Sequence, residues 1–185
     1  MSGGYTIDEV GKLEEGWFFY DHAWTLAFHL MKKFVGHSVL DVGCGTGIAI
    51  GIYQNCLLDK KFVGCEPNDV SAEIWKRRNV NAVIGSATNL PFERDEFDTV
   101  VSSHVIEHIE DHLTAVNEMV RVAKKRLIVV VPEGDVDSKN FGSPHLRYYD
   151  RVSFVNLFED IKCVNKRGYS LPHSHMNNLI MDIEF

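Results

Sequence analysis

The chain predicts an α/β fold: a doubly wound, mostly parallel seven-stranded sheet with an antiparallel edge hairpin. Three observations predict it. Short apolar runs alternate with segments whose apolar residues recur at helical spacing. The runs show no polar alternation, as expected of strands covered on both faces. The last two strand-like segments, 161–169 and 178–185, have no helix of ordinary length between them. They should therefore pair as a hairpin joined by 170–177.

The 185 residues suit a single domain, 1–185. It divides into an N-terminal cap segment (1–35), a ligand-binding core (36–131), and a loop, helix and edge hairpin (132–185). The opening residues, to about Gly16, read as mobile. An aromatic run follows: Trp17, Phe18, Phe19, Tyr20, then Trp24. A helix is predicted from Asp21, which would cap it, with Trp24, Phe28, Met31 and Phe34 on its inner face. Gly36 ends it. Strands are predicted over 38–42, 61–65, 80–84, 97–102 and 126–131, the last ended by Pro132. Helices are predicted over 46–57, 70–78 and 113–124, the last burying Leu113, Val116, Val120 and Ala123. Asp150 should cap a further helix carrying Val152, Val155 and Phe158.

Composition narrows the function. The formal net charge of −7 argues against non-specific binding to a phosphate backbone or an acidic membrane surface. No run of about 18 uninterrupted apolar residues is present, so no membrane span is expected. The first 15 residues have no apolar core of signal-peptide length. The four cysteines form no CxxC pair, so neither a zinc knuckle nor a redox motif is indicated. A reduced, cytoplasmic protein is expected. Oligomeric state is not read from the sequence.

The most informative stretch is Val39-Leu40-Asp41-Val42-Gly43-Cys44-Gly45-Thr46-Gly47. A strand enters, glycines turn the chain, and a helix leaves. Glycine permits positive φ and close approach of a ligand to the backbone. A dinucleotide would lay its pyrophosphate on the helix N-terminus and call for GxGxxG. Here the spacing is GxGxG, and Ile48 occupies the third dinucleotide glycine position. Asp41, two residues before the first glycine, would repel a pyrophosphate and favour a cationic, phosphate-free ligand. Glu66 follows at the end of the second strand, 19 residues after Gly47. There it can accept hydrogen bonds from both hydroxyls of a ribose; the plainer alternative is a solvated surface glutamate.

Four motifs now stand in order: the 41–47 loop; Cys65-Glu66-Pro67; Gly85-Ser86-Ala87-Thr88-Asn89-Leu90-Pro91-Phe92; and Phe97-Asp98-Thr99-Val100-Val101. Together they resemble class I S-adenosylmethionine-dependent methyltransferases. The nearest likeness is to the small-molecule, type 11-like group related to quinone and sugar methylation enzymes. The resemblance runs from about residue 38 to residue 131. It implies a Rossmann-like fold and S-adenosylmethionine as cofactor. Asp41, Gly43, Cys44 and Gly45 would then contact the methionyl part, with Gly47 shaping the turn. Glu66 would hold the ribose, with Pro67 and Asn68 near it, and Ser86, Ala87 and Thr88 would border the adenine. The family often has an acidic residue where this chain has Ser86, which can still accept that bond, more weakly.

After the fourth strand comes Ser102-Ser103-His104-Val105-Ile106-Glu107-His108. His104 would face the cofactor as part of its site and as a candidate general base; a structural role is the competing reading. His104-x-x-Glu107-His108 also matches the HxxEH pattern of inverted zinc peptidases. That chemistry needs one continuous helix, and here a strand precedes the motif. Some quinone O-methyltransferases hold a divalent metal with acidic and histidine side chains in this segment, but this chain has His104 where they have a carboxylate. No metal is expected, and His108 is read as packing between strand and helix.

Two segments should cover the acceptor site: the aromatic stretch with Trp17 and Tyr20, and the loop from Pro132 through Ser143-Pro144-His145-Leu146-Arg147-Tyr148-Tyr149. His145 is a second candidate base. Arg147 is a candidate clamp for an anionic group, with Tyr148 beside it; a solvated loop is the alternative. His173 and His175 read as exposed turn residues. The reading is methyl transfer to a small-molecule acceptor at oxygen, nitrogen or carbon, with no nucleic-acid partner. The alternative is a non-catalytic S-adenosylmethionine-binding partner or regulator.

Overall fold

A computed structural model describes residues 17–69, 71–134, 145–172 and 176–185, with side chains from Trp24 onward. The readings of residues 1–16, of Ser143 and Pro144, and of His173 and His175 lie outside the described residues.

The elements, in chain order, are α1 (Trp17–Met31), β1 (Ser38–Val42), α2 (Ile48–Cys56), β2 (Lys61–Glu66), α3 (Ser71–Arg78), β3 (Ala82–Ile84), β4 (Phe97–Ser103), a 3-10 turn (Ile106–His108), α4 (His112–Val122), β5 (Ala123–Pro132), α5 (Arg151–Asn156), β6 (Asn165–Leu171) and β7 (Asn178–Glu184). They build one seven-stranded sheet in the order β3-β2-β1-β4-β5-β7-β6. β1 to β5 are parallel, and β7 runs antiparallel to both β5 and β6. The predicted hairpin is present, with β6 as the edge strand. Strand order reverses between β1 and β4, and open α/β sheets bind ligands at the carboxyl ends beside such a reversal.

Both faces of the sheet are covered, which is why the strands are apolar without alternation. On one face Leu40, Val42, Val100, Leu127 and Val129 pack with Val116 and Met119 of α4 and with Phe154 of α5. On the other, Val39, Val101, Ile128, Val130 and Ile180 pack under Leu30 of α1 and under Ile50 and Tyr53 of α2. Past the end of α1, the Lys33 carbonyl accepts from Arg126 of β5, and its ammonium pairs with Asp182 of β7 at 2.9 Å. Both partners lie towards the amino end of β5. α1 therefore runs opposite to the parallel strands, and its aromatic start points towards their carboxyl ends.

Three helices differ from the prediction in which face they bury. α1 begins at Trp17, so Asp21 lies inside it and is not its cap. Its inner face is Leu26, Ala27, Leu30 and Met31, continued by Phe34, while Trp24 and Phe28 are 42% and 47% exposed and stack on each other outside. The segment carries apolar residues on most of its circumference, so spacing alone does not choose the face. α4 buries Ala115, Val116, Met119 and Val122; Leu113 points outward, and Ala123 already belongs to β5. α5 buries Phe154, followed by Phe158, and leaves Val152 and Val155 exposed, because the larger aromatic surface gains more from burial. Asp150 does cap α5, accepting from the Ser153 amide at 2.7 Å in a capping box.

Candidate active site

The glycine turn follows β1. Gly43, Gly45 and Gly47 have φ of +76°, +52° and +79°, a region that costs an L-residue roughly 1–2 kcal/mol. The Gly43 amide donates to the Cys65 carbonyl at 2.7 Å, which ties the turn to β2. Trp75 of α3 donates its indole N–H to the Gly45 carbonyl at 2.8 Å, and Arg78 donates to the Thr46 carbonyl and hydroxyl. A β-carbon at position 43 would stand 2.2 Å from Cγ2 of Val105, whereas one at position 45 would meet nothing within 4 Å. The turn is thus packed on one side and open at Gly45. Cys44 is buried, and its thiol packs against Gly64, whose β-carbon would stand 2.4 Å from Sγ. Only the Cys44 backbone can face a ligand.

Two carboxylates stand beside this turn. Asp41 is buried near the end of β1, and burial, reinforced by the charge of Glu66, pushes its carboxyl up to about 7. Glu66, at the end of β2, accepts from the Gly45 amide at 3.1 Å and from the Asn68 amide at 3.3 Å. Burial raises its pKa too, and those two amides oppose the shift. Among the described residues neither carboxylate pairs with a lysine or an arginine. Removing a carboxylate from water costs several kcal/mol unless a cation compensates. The arrangement suits a ligand that brings positive charge.

The Gly85 amide donates to the Glu66 carbonyl at 3.1 Å, so the segment after β3 lies alongside. Ser86 and Thr88 share a hydroxyl–hydroxyl bond of 2.8 Å, and the Thr88 amide donates to the Ser86 hydroxyl at 3.2 Å. Ala87 is buried between them, and Pro67 is exposed. The structure thus brings together, at the adjoining ends of β1, β2 and β3, the positions read as methionyl, ribose and adenine contacts.

His104 follows directly after β4 and has φ +57°. Its Nε2 is 2.9 Å from Oδ1 of the buried Asn178 in β7, and its Nδ1 is 3.5 Å from Oε1 of Glu107. Glu107 is wholly buried, and neither carboxylate oxygen has a hydrogen-bond partner among the described residues. The 3-10 turn makes the HxxEH motif discontinuous, so it does not lie along one helix.

The loop carrying His145 folds onto this turn. Leu146 donates its amide to the Glu107 carbonyl at 2.9 Å. The Arg147 guanidinium donates to the carbonyls of Ile106, Ile109 and Glu110. His145 consequently sits edge-on to His108, ring centroids 4.8 Å apart, and Tyr148 is half exposed beside it. One donor atom each from Glu107, His108 and His145 lie within 4.8 Å of one another, close enough to hold a metal ion. Trp17 and Tyr20 lie in the first turns of α1, at the end that points towards the strands' carboxyl ends. A cavity of about 330 Å³ lined by His29, Lys33, Arg167 and Tyr169 lies between α1 and β6 and includes none of the residues above.

Sequence reasoning missed Trp75 and Arg78 as supports of the turn, Val105 as its lid and Asn178 as the partner of His104. Trp75 was within reach, being a large aromatic on the helix that follows Glu66. Asn178 lies 74 residues from His104 and carries no local signal.

Comparison with known proteins agrees with this geometry. The family model described as a methyltransferase domain matches residues 40–131. A demethylmenaquinone methyltransferase of Staphylococcus haemolyticus is 32% identical over 114 residues, covering 57% of this chain and 48% of that protein. A tRNA (carboxymethyluridine(34)-5-O)-methyltransferase of Arabidopsis thaliana is 28% identical over 99 residues, covering 52% of this chain and 24% of that protein. The aligned regions span between 14% and 56% of the length of the curated relatives. Among solved structures, a SAM-dependent methyltransferase of Thermotoga maritima superposes with a TM-score of 0.76 at 20% identity, covering 95% of each chain. Among the described residues no helix is long and apolar enough to cross a membrane. Fold, ordered motifs and family model agree: the chain belongs to the class I S-adenosylmethionine-dependent methyltransferases.

Proposed function

We propose that the chain transfers a methyl group from S-adenosylmethionine to a small-molecule acceptor at oxygen, nitrogen or carbon. One observation carries the reading: Asp41 and Glu66 stand beside an open glycine turn with no lysine or arginine paired to either among the described residues. A sulfonium and an ammonium supply the missing charge, and a pyrophosphate would add to the repulsion. The electrophilic methyl group is the cofactor's own. The chain's task is to align donor and acceptor, exclude water and, for a hydroxyl or ammonium acceptor, remove a proton.

In this reading Asp41 and the amides of Gly43, Cys44 and Gly45 meet the methionyl part, and Gly47 shapes the turn. Glu66 exchanges the Gly45 amide for the ribose hydroxyls, with Pro67 beside it, and Ser86, Ala87 and Thr88 border the base. His104, oriented by Asn178, is the candidate general base. Arg147 supports the acceptor wall through three backbone carbonyls, and Trp17, Tyr20 and Tyr148 flank the entrance.

A small acceptor is favoured over nucleic acid by the net charge of −7. Two kinds of relative act on small molecules by name, demethylmenaquinone methyltransferases and an ajmaline N-methyltransferase, while others act on tRNA. The test is calorimetry with S-adenosylmethionine, S-adenosylhomocysteine and NAD, followed by S-adenosylhomocysteine release across quinols, phenols, amines and bulk tRNA. Binding of the first two with turnover on a small acceptor supports the reading. Binding of NAD alone ends it, and turnover on tRNA alone replaces the acceptor. Tight cofactor binding without turnover favours the non-catalytic alternative.

A further inference from the structure

We propose that Glu107, His108 and His145 form a binding site for a borderline divalent transition ion of the zinc type, with one coordination position left open beside His104. The argument begins with Glu107. Its side chain has no solvent exposure, and its two carboxylate oxygens lack a hydrogen-bond partner among the described residues. A buried carboxylate in that state is strongly disfavoured unless a cation sits against it. The groups facing it are imidazoles: Nε2 of His108 at 3.9 Å and Nδ1 of His104 at 3.5 Å from Oε1. Both distances exceed those of good hydrogen bonds, and both leave room for an ion between the groups. The third donor, from His145, arrives from a separate loop and lies within 4.8 Å of the other two.

The site is also built to hold its ligands in place. The Leu146 amide fixes the His145 loop to the Glu107 carbonyl, and the Arg147 guanidinium fixes it to Ile106, Ile109 and Glu110. These backbone ties hold side chains of two segments at one point, as metal sites require. The sequence set metal aside because no continuous helix carries the HxxEH motif and because His104 stands where metal-holding relatives have a carboxylate. The fold replaces the missing helix with a 3-10 turn and adds His145.

The donor set selects the ion. Two imidazoles and one carboxylate suit Zn²⁺, Co²⁺ or Ni²⁺, whereas Mg²⁺ and Ca²⁺ prefer all-oxygen sets. Three protein ligands are the number that leaves a tetrahedral ion one position for water or another molecule. His104 stands beside the group, its Nδ1 3.5 Å from Glu107 Oε1 and its Nε2 2.9 Å from Oδ1 of Asn178.

The full chain should be stripped with chelator, dialysed against Zn²⁺, Co²⁺ or Mg²⁺, and analysed for bound metal and for melting temperature. Retention of about one Zn²⁺ per chain, a higher melting temperature with Zn²⁺ but not Mg²⁺, and a tetrahedral Co²⁺ visible spectrum are expected. His108→Ala and His145→Ala are partly exposed positions whose variants should fold, and each should weaken Zn²⁺ binding by roughly 100-fold or more. Glu107→Gln should do the same, and His37→Ala, ahead of β1 and beside Asp59, should leave binding unchanged. Absence of retained Zn²⁺, or binding indifferent to loss of His108 and His145, overturns the site. None of these readouts requires methyl transfer, so the proposal stands or falls apart from the proposed function.

Discussion

The Glu66 carboxylate accepts the amide of Gly45 at 3.1 Å, across the turn in which a nucleoside cofactor would lie. The same carboxylate is the one read as the ribose acceptor. A ligand that offers two hydroxyls to Glu66 must replace that bond, and the freed amide can then face the ligand. Glu66→Gln should therefore fold and weaken S-adenosylmethionine by at least tenfold in calorimetry, because the amide group loses one of two acceptor oxygens and the charge. Unchanged affinity would remove Glu66 from the site.

Asp41 sets a pH dependence. Burial holds its carboxyl near 7, above its ordinary 3.8. The folded chain therefore binds this proton more tightly than the unfolded one. The resulting stability is complete below about pH 4 and is lost as pH rises through 7. Asp41→Asn should flatten this slope and raise the melting temperature of the empty protein at pH 8, by on the order of 5 °C. It should also abolish cofactor binding. In the unaltered chain a cationic ligand favours ionised Asp41, so affinity should rise from pH 5.5 to 7.5, with proton release visible in buffers of different ionisation enthalpy.

Two glycines two residues apart in the same turn should respond differently to alanine. At Gly43 the new methyl would collide with Val105. Gly43→Ala should lower the melting temperature sharply or prevent soluble expression. At Gly45 the new methyl meets nothing, and the cost is confined to the positive φ, roughly 1–2 kcal/mol. Gly45→Ala should fold with a modest loss of stability and lose S-adenosylmethionine binding, because the methyl fills the open side. Wild-type affinity in Gly45→Ala would place the cofactor elsewhere.

Arg147 ties the 145–149 loop to the 3-10 turn through three carbonyls. Arg147→Ala should cost about 2 kcal/mol in urea unfolding and speed hydrogen exchange at the Leu146 amide. Arg147→Lys should recover little of it, since an ammonium lacks the planar fork that reaches several carbonyls. Full recovery by lysine would show that charge alone matters there.

Asp98 acts with the opposite sign to Asp41. Its carboxylate meets the Lys125 ammonium at 2.7 Å and accepts from the His37 amide at 2.8 Å. The Lys125 hydrogen bond, then the His37 amide, hold its carboxyl well below the usual carboxylate range. Its contribution is present above about pH 4 and is lost as pH falls below that. Asp98→Asn should lower the melting temperature at pH 7 and reduce the acid-side loss, which a melting series from pH 2.5 to 7 would read.

The parts of this fold that were legible in the sequence are those where one local rule decides. β1 is unbroken apolar chain running into glycines, and its predicted limits, 38–42, are those observed. The Asp150 cap needed only an aspartate ahead of an apolar helix. The inner faces of α1 and α5 were not legible, because each offers more than one apolar stripe and only the neighbouring elements decide between them. At the candidate site, Asp41, the glycines and Glu66 were singled out by charge and spacing, and the fold places them side by side. The grouping of Glu107, His108 and His145 did not, because it depends on where a loop 37 residues beyond His108 comes to rest.

Val105 occupies the space that a side chain at position 43 would need. The glycine bend after β1 and the stretch after β4 are therefore in direct van der Waals contact. A displacement of either stretch is therefore felt at the other through that contact.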